Sequence, residues 1–261
     1  PFHKIETLGE IGKKYRTSYE MYAKGTRAQI DDFLEEVSKR AKSVKEIPEA
    51  GKKITEAVET GIKTGDTLLN DISQEIERAQ QFFAASEKSR GILKAELPNY
   101  MRHILTPEGS DFIQKGGNVM ALTKPIRVKL GAAKPRKLIG TIEEINKELF
   151  PKLGFNLFEP DAFKAYASRG IENIKAIRTY DFLKGAGETF GKKSTKDFID
   201  ETGLRWVSSS APELKDIRLP LPIAKHIDEF KNVLTNDEST NAFLNVFDKV
   251  QNFWKGTVTG Y

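Results

Sequence analysis

Two stretches in the first hundred residues carry apolar side chains at spacings that alternate between four and three. The first stretch spans residues 26–46 and the second spans residues 65–84. Glu, Lys, Arg and Gln dominate the intervening positions, as expected for a solvated helix surface. The pattern is typical of a coiled coil or helical hairpin. We refer to its apolar positions as the seam residues: Ile30, Leu34, Val37, Ala41, Val44, Leu69, Ile72, Ile76, Ala79 and Phe83.

Helix-breaking and capping residues predict where the N-terminal helices begin and end. Pro48 and Gly51 are expected to break the first seam helix. Asp66 is expected to cap the second one, because its carboxylate can accept a hydrogen bond from a free amide of the first turn. That helix is expected to run to about Leu97, since Pro98 disfavours helical geometry at the preceding residue. A shorter amphipathic helix between them carries Ile54, Val58 and Ile62.

The second half of the chain begins with helices that have clear start signals. Thr106 is expected to cap a short helix that opens with proline. The tetrapeptide T-I-E-E at Thr141–Glu144 is a capping box, and Pro151 is expected to stop the helix that follows near Leu149. A longer helix opens at Pro160, and its predicted apolar face consists of Phe163, Tyr166, Ala167, Gly170, Ile174 and Ile177.

The remaining segments add one predicted strand and two more helices. Leu204–Val207 has the composition of a short strand, and the prolines of Leu219–Pro222 favour an extended chain. A helix is predicted from Ile223 to Leu234, with Ile223, Ile227, Phe230 and Leu234 on one side. The last helix is predicted to begin at about Thr240. Strands and helices do not alternate and no series of hairpins is visible, which predicts a mainly α protein.

The expected architecture has two helical parts joined by a connector. Residues 1–97 form the N-terminal part, an elongated helical hairpin or coiled-coil-like region. Residues 98–139 form a basic connector that is rich in proline and glycine, and residues 140–261 form a compact helical C-terminal unit. Each seam helix is only a few turns long, so we expect the seam residues to pack on each other or on a partner.

Composition narrows the functional classes only slightly. The 261 residues include no cysteine, which excludes disulfides, thiolate nucleophiles and cysteine zinc sites. No apolar run approaches the roughly 20 residues that span a bilayer, and residues 1–20 lack the apolar core of a secretory signal. The net charge of +5 is too small to identify a nucleic-acid-binding protein by itself.

One segment of the connector contains positive charges only. Residues 124–137 read K-P-I-R-V-K-L-G-A-A-K-P-R-K, and the nearest carboxylates are those of Asp111 and Glu143. Clustered cations can neutralise phosphates and release counterions, but the segment lacks the aromatic residues that single-strand binding commonly uses. We interpret it as a solvated connector and keep phosphate contact as the alternative. The candidate nucleic-acid-binding residues are Lys124, Arg127, Lys129, Lys134, Arg136 and Lys137.

The titratable residues form no recognisable catalytic or metal-binding motif. The three histidines, His3, His103 and His226, include no pair at helical ligand spacing and no H-E-x-x-H sequence. His103 is expected to be packed or hydrogen-bonded rather than to act as a general base. Three adjacent carboxylate pairs are expected to lie on solvated helix faces: Asp31–Asp32, Glu35–Glu36 and Glu143–Glu144. Neighbouring helical residues point about 100° apart, so such a pair does not by itself make the geometry of a glycosidase.

Two further segments contain residue types that are common in binding or catalytic sites, but they lack the neighbouring motifs that such sites require. Gly185–Gly191 reads G-A-G-E-T-F-G, which superficially resembles a dinucleotide-binding loop. It follows a helical pattern instead of a strand, so we interpret it as a helix end where glycine supplies a left-handed cap. The serines of Ser208–Ser210 have no paired histidine and no nucleophile elbow, and a loop is expected there.

Three stretches taken together indicate a resemblance to a known protein family. The first reads L-P-N-Y-M-R-H-I-L-T-P-E-G (Leu97–Gly109). The second lies within Gly140–Leu183 and includes G-T-I-E-E-I-N and L-F-E-P-D-A-F-K-A-Y-A-S-R-G. The third is the terminal F-W-K-G-T-V-T-G-Y. Together they resemble an internal helical region of very large multidomain phage and prophage proteins, some of which are called large polyvalent proteins. The likeness covers roughly residues 80–261. It implies a larger parent protein that is packaged in virions or ejected with the genome, and it supplies no catalytic residues.

The sequence is therefore interpreted as a non-catalytic structural or interaction segment without a cofactor. The expected partners are other domains of a larger parent chain or other virion proteins. DNA and further copies of the same chain in an oligomer stay open as partners. The expected location is the virion or the host cytoplasm. Two alternatives stay open: a nonspecific nucleic-acid-binding module that uses the basic connector, and an enzyme whose site is assembled from distant residues.

Overall fold

The computed structural model describes residues 3–93, 103–118, 122 and 141–235, and the prediction of a mainly α protein is confirmed. The helices within these ranges are α1 (His3–Glu6), α2 (Glu10–Ser43), α3 (Ala50–Thr60), α4 (Thr67–Ser89), α5 (Pro107–Gln114), α6 (Ile142–Leu153), α7 (Ala162–Phe190) and α8 (Leu221–Thr235). The strands are β1 (Lys192–Lys193), β2 (Phe198–Ile199), β3 (Arg205–Val207) and β4 (Ile217–Pro220), and a 3-10 turn lies at Pro212–Leu214.

The predicted helix caps are confirmed by their hydrogen bonds. The Asp66 carboxylate accepts a hydrogen bond from the amide of Leu69, and the Thr106 hydroxyl accepts one from the amide of Gly109. Thr141 and Glu144 form the reciprocal bonds of a capping box. Each cap satisfies an amide that the helix itself leaves without a partner.

One seam helix is longer than its apolar stretch, and two predicted helix ends are wrong. Helix α2 begins at Glu10, well before residue 26. Helix α4 ends at Ser89 instead of Leu97, and Gly91 follows with φ of 71°. Helix α6 continues through Pro151 to Leu153, because a proline in the last turn removes only one backbone bond. Its end is set by Gly154, which adopts φ of 79°.

The chain forms two compact units, and each contains segments that are distant in sequence. The mixed unit consists of Pro1–Ala28 and Lys175–Tyr261, and the helical unit consists of Gln29–Ile174. Their limits fall inside α2 and α7, so each of these helices contributes to both units. The ranges 1–97, 98–139 and 140–261 stay a prediction about organisation along the sequence.

The seam residues of α2 and α4 are largely buried in the helical unit. Phe33 and Phe83 have ring centroids 6.1 Å apart, and Arg40 forms a 2.5 Å ion pair with Glu75. These contacts place the two helices antiparallel, as predicted for a hairpin-like pair. Tyr166 of α7 joins the contact, with its ring centroid 5.2 Å from that of Phe33. The buried seam residues are Ile30, Val37, Val44, Leu69, Ile72, Ile76 and Phe83.

The shorter helix α3 packs beside α4 in the same unit. Ile54 and Val58 are buried, as their spacing predicts. Ile62 lies beyond the end of α3 and is 70% exposed, so its predicted place on that face is wrong. Gly61 ends the helix with φ of 72°, which turns the chain before Ile62 is reached.

The mixed unit contains a small antiparallel sheet that the sequence patterns indicated only at its third strand. The strand order is β1-β4-β3-β2, with Trp206 opposite both Phe198 and Pro220. One sheet face packs on the helices through Val207 and Leu219. The core beneath it consists of Ile5, Tyr15, Leu183, Ala186, Phe190, Val207, Ala211, Leu214, Leu219, Ile223, Ala224 and Ile227.

The predicted extended segment at Leu219–Pro222 is only partly right. Its first two residues belong to β4, and α8 begins at Leu221. Ile223 and Ile227 of α8 are buried as predicted, whereas the side chains of Phe230 and Leu234 lie outside the described part of the chain. The helix predicted from Thr240 also lies outside it. Among the described helices, none is long and apolar enough to span a membrane.

Candidate functional site

The six candidate nucleic-acid-binding residues all lie in the segment 123–140, outside the described residues. Their role in binding nucleic acid therefore stays a prediction from the sequence. The structure brings together other charged and aromatic side chains, and these decide which described residues are candidates for a site.

His103 is hydrogen-bonded, as predicted, and its partner is a carboxylate from a distant helix. The Nε2 atom of His103 lies 3.0 Å from Oε1 of Glu59, and both side chains are nearly buried. The other oxygen of Glu59 accepts a hydrogen bond from the amide of Ile142, the first residue of α6. Glu59 thus joins α3 to the start of α6, where a negative charge is favoured by the helix dipole. The contact between His103 and Glu59 is therefore explained by its role in holding these segments together.

His226 lies in an aromatic cluster of the mixed unit. Its Nδ1 atom is 2.9 Å from the hydroxyl oxygen of Tyr15, and the ring of Tyr19 packs edge-on at 4.8 Å. Burial lowers the pKa of His226 and raises the pKa of Tyr15. Both shifts favour the neutral forms, because a charge is poorly solvated in this apolar setting. The pair is suited to holding α2 against α8.

Glu87 makes a buried ionic contact in the helical unit. Its two carboxylate oxygens accept hydrogen bonds of 2.6 and 2.9 Å from the guanidinium of Arg169. The side-chain amide of Asn173 donates to the same carboxylate at 2.8 Å. The bidentate geometry is the strong form of this interaction. It joins the end of α4 to α7.

The glycine-rich and serine-rich segments also have structural explanations. Gly185 and Gly187 lie inside α7 and Gly191 follows its end, and none of the three has a positive φ. The predicted left-handed cap is therefore wrong. A β-carbon on Gly187 would lie 2.7 Å from Leu214, and one on Gly191 would lie 2.3 Å from Ile217. Gly187 and Gly191 therefore permit close packing of α7 against β4 and the turn before it.

The serines of Ser208–Ser210 form a loop, as predicted, that is attached to α8. The hydroxyls of Ser209 and Ser210 donate to Oδ1 of Asp228 at 2.6 and 2.9 Å, and the Ser210 amide donates to the same atom at 2.8 Å. A serine hydroxyl that donates to a carboxylate in this way is not positioned by a histidine base.

The second face of the sheet carries an unusual group of side chains. The strand register places Lys192, Arg218, Pro220, Trp206 and Phe198 on this face, opposite the one that covers the core. The rings of Phe198 and Trp206 are stacked within 3° of parallel, with centroids 5.8 Å apart. Arg218 is buried beside them and forms a 2.9 Å ion pair with Asp197.

The ammonium group of Lys192 lies among the side chains of Trp206, Phe198 and Asp200. Its Nζ atom is 4.2 Å from the ring centroid of Trp206, 5.9 Å from that of Phe198 and 3.5 Å from Oδ2 of Asp200. An ammonium over an indole face is attracted by the negative face of the ring. We call Phe198, Asp200 and Trp206 the cation cage.

The hairpin between β2 and β3 holds the carboxylate of the cage in place. Oδ1 of Asp200 accepts hydrogen bonds from the hydroxyl and amide of Thr202 and from the amide of Leu204. Oδ2 accepts a 2.8 Å hydrogen bond from the indole of Trp206. The bonds from Thr202 and Trp206 hold the pKa of Asp200 well below its usual range. The cage therefore carries a fixed negative charge next to two aromatic rings.

The sequence contained only weak signals for the cation cage. The segment D-E-T-G (Asp200–Gly203) has turn-forming composition, and Gly203 adopts φ of 80°. Leu204–Val207 was recognised as a strand, but the strands that complete the sheet contain only two to four residues each. Such short strands show no period of two. Lys192 also lies two strands away from Trp206 in the sheet order, a relation that no local pattern predicts.

Among the described residues, we take the cation cage as the candidate binding site. Within that part of the chain, no group of three or more His, Asp or Glu residues could hold a metal ion. Comparisons of the chain with protein-family models, curated proteins and solved structures find no match.

Proposed function

We propose that this chain is a non-catalytic structural or interaction module of a large phage or prophage protein, acting in virion assembly or genome delivery. The sequence resemblance over roughly residues 80–261 supports the viral setting. The proposed partners are other domains of the parent protein or other virion proteins, and the proposed location is the virion or the host cytoplasm.

The proposal that the module is non-catalytic is supported by one observation: its largely buried ionic groups bind other side chains and backbone amides of the same protein. Acid–base catalysis needs a titratable group that can reach a substrate proton. Glu87 instead binds Arg169 and Asn173, and Glu59 binds His103 and the start of α6. These contacts join helices that are distant in sequence. They are what a scaffold needs in order to hold one geometry.

The proposal is tested on particles produced by the source phage or induced prophage. Purified particles are treated with an amine-reactive cross-linker, digested and analysed by mass spectrometry. We expect peptides of this chain in the particles, with cross-links from its exposed lysines to another virion protein or to another part of its parent. Cell lysate without particles serves as the control.

Two outcomes contradict the proposal. One is the absence of this chain both from purified particles and from immature particles isolated from the lysate, in each of which the major structural proteins are detected. The other is a chain that is present in the lysate but forms cross-links only within itself. Both outcomes are independent of any assumption about which partner is contacted.

A second candidate function is nonspecific binding of nucleic acid by the basic connector. The observation that favours it is the run of six cations without a carboxylate in residues 124–137. The apolar residues Ile126, Val128 and Leu130 alternate with Arg127 and Lys129. This alternation favours a segment that packs on one side and is solvated on the other, and we therefore prefer the connector.

Duplex DNA binding at several salt concentrations separates the two functions. Contact with a phosphate backbone predicts a slope of log K against log salt near −0.9 per phosphate, or about −3 to −5 for part of this segment. The test variant replaces Lys134, Arg136 and Lys137 with Gln. A large, salt-dependent loss of binding in the variant would favour the nucleic-acid function. Absence of binding by both proteins would leave the connector interpretation in place.

A further inference from the structure

The cation cage is already occupied by a side chain of the same protein. Lys192 approaches Trp206, Phe198 and Asp200 from the edge strand β1, and half of its side chain remains exposed to solvent. Trp206 itself is only 5% exposed. Because its ammonium lies over the indole ring, we take Lys192 to be the group that covers this face.

The geometry of the cage does not depend on Lys192. Asp200 is oriented by Thr202, Leu204 and the Trp206 indole, all within the β2–β3 hairpin. Trp206 and Phe198 are opposite one another in the β2–β3 register. Removal of the Lys192 side chain thus leaves both rings and the carboxylate with their other contacts intact.

The chemistry of the cage selects an alkylammonium ion. Two aromatic faces attract a cation, and they do not require it to be the end of one particular chain. Oδ2 of Asp200 adds an acceptor 3.5 Å from the nitrogen, which favours a primary ammonium with N–H donors over a quaternary one. The side chain seen in the cage is that of a lysine, which is a direct example of such a ligand.

We propose that the cation cage binds the lysine ammonium of a partner protein, and that Lys192 occupies the cage as an internal competitor when no partner is present. The inference rests on the interaction role proposed above and names the chemistry of the partner group. Lys192 can leave because it lies on a two-residue edge strand and has a flexible four-carbon stem. Only the fraction of molecules in which Lys192 has left the cage can bind the partner, so the apparent affinity is lower than the intrinsic affinity of the empty cage.

The test uses the full chain with Lys192 replaced by Ala and a small ligand in place of the unidentified partner. Nα-acetyl-lysine amide is titrated while the indole N–H signal of Trp206 is followed by NMR. The matched ligand is Nα-acetyl-norleucine amide, which has a similar apolar stem but no ammonium. We expect saturable binding of the lysine derivative by the variant, with a Kd in the millimolar range. The norleucine derivative is expected to bind at least about tenfold more weakly, because it lacks the cation.

The unmodified chain and a neighbouring substitution provide the controls. The unmodified chain should bind the lysine derivative at least about tenfold more weakly than the Lys192→Ala variant, because its own lysine competes. Lys193→Ala removes the same charge from the same strand, but residue 193 points to the other face of the sheet. It should behave like the unmodified chain.

The proposal is overturned if the folded Lys192→Ala variant shows no saturable shift of the Trp206 signal. Equal binding by the variant and the unmodified chain would also overturn it, since Lys192 would then not compete. If the Ala variant does not fold, Lys192→Gln is used with the same criteria. The NMR assay needs no virion, so a negative result overturns only the proposal that the cage binds a lysine ammonium. Absence of the chain from mature and immature particles overturns only the proposed function.

Discussion

At the scale of single residues, the interior polar groups form bonds between segments that are far apart in the sequence. Tyr15 and His226 are separated by 211 positions, and Glu87 and Arg169 by 82. Leaving a buried polar group without its partner costs more than the bond contributes on average. These pairs therefore specify which helices meet, and their removal gives measurable effects on stability.

His226 makes stability depend on pH in a defined direction. Burial lowers the pKa of His226 in the folded state below its ordinary value of 6.5. The unfolded chain thus binds a proton more readily, and stability falls as the pH drops through about 6.5 toward the folded-state pKa. We expect the melting temperature to fall between neutral pH and mildly acidic pH. The fall should be smaller in His226→Gln, which has the other two histidines but cannot titrate at this position.

One result of this pH comparison would contradict the prediction for His226. If the unmodified chain and His226→Gln lose melting temperature in parallel over this range, the folded-state pKa of His226 is not lowered. At neutral pH, His226→Gln is expected to destabilise the protein by about 1 kcal/mol through its altered contact with Tyr15.

Removal of the charge of Glu87 should be far more costly than removal of an exposed charge. Glu87→Gln leaves the largely buried guanidinium of Arg169 without its counterion, which we expect to cost about 3 kcal/mol of unfolding free energy. The matched control is Glu35→Gln, because Glu35 pairs with Lys39 on an exposed helix face, where solvent screens the pair and its loss should change stability little. Urea unfolding of both variants measures the difference. Equal losses would mean that the Glu87 contact is not buried in solution.

At the scale of elements, burial decides which side of each helix is sensitive to substitution. The seam residues of α4 face other helices, whereas Gln74 on the same helix is exposed. Helix α7 is buried over much of its circumference, and two of its glycines, Gly170 and Gly187, lie directly against side chains of other elements. Each case allows a substitution to be compared with a control on the same element.

Ile72→Asp tests the seam. Ile72 is 4% exposed, and an Asp in its place would lose the apolar burial and introduce an unpaired carboxylate. We expect a loss of about 3–5 kcal/mol in the free energy of unfolding. Gln74→Asp introduces the same residue two positions away on the solvated face and should change stability by about 0.5 kcal/mol or less. An unchanged melting temperature for Ile72→Asp would show that the seam is exposed.

Gly191→Ala tests the close approach at the end of α7. A β-carbon there would lie 2.3 Å from Cγ2 of Ile217 and 2.4 Å from the carbonyl oxygen of Gly187. Because a carbonyl of the backbone cannot move aside cheaply, we expect a loss of about 2–3 kcal/mol. Gly185→Ala has no atom within 4 Å of its new β-carbon and should stabilise the helix by about 0.5–1 kcal/mol. Thermal unfolding distinguishes the two, and a stable Gly191→Ala would contradict the packing at β4.

At the scale of the whole molecule, the mainly α class has a direct spectroscopic consequence. Far-UV circular dichroism should show helix well above the roughly one-third that is typical of soluble domains. The four strands are two to four residues long and should contribute little. A spectrum dominated by strand would contradict the fold.

Much of the helical framework was predictable from local patterns, because its causes are local. Apolar spacing over residues 65–84 identifies a buried helix face without reference to the rest of the chain. Caps such as Asp66 and Thr141 act within one helical turn. The first 16 residues of α2, Glu10–Gly25, are harder to recognise, although Tyr15, Tyr19 and Tyr22 repeat the spacing of four and three. Tyrosine has a polar end and marks a buried helix face less clearly than an aliphatic residue does.

The sequence by itself determined the mainly α class, the seam, the capped helix starts and the run of cations, since each depends on residues within a few turns of one another. Only the tertiary structure decided that residues 1–28 belong with 175–261, that Glu87 meets Arg169, and that Lys192 covers Trp206. Such contacts join residues across long loops and short strands. Their free energy comes from mutual burial and pairing, which no single segment contains.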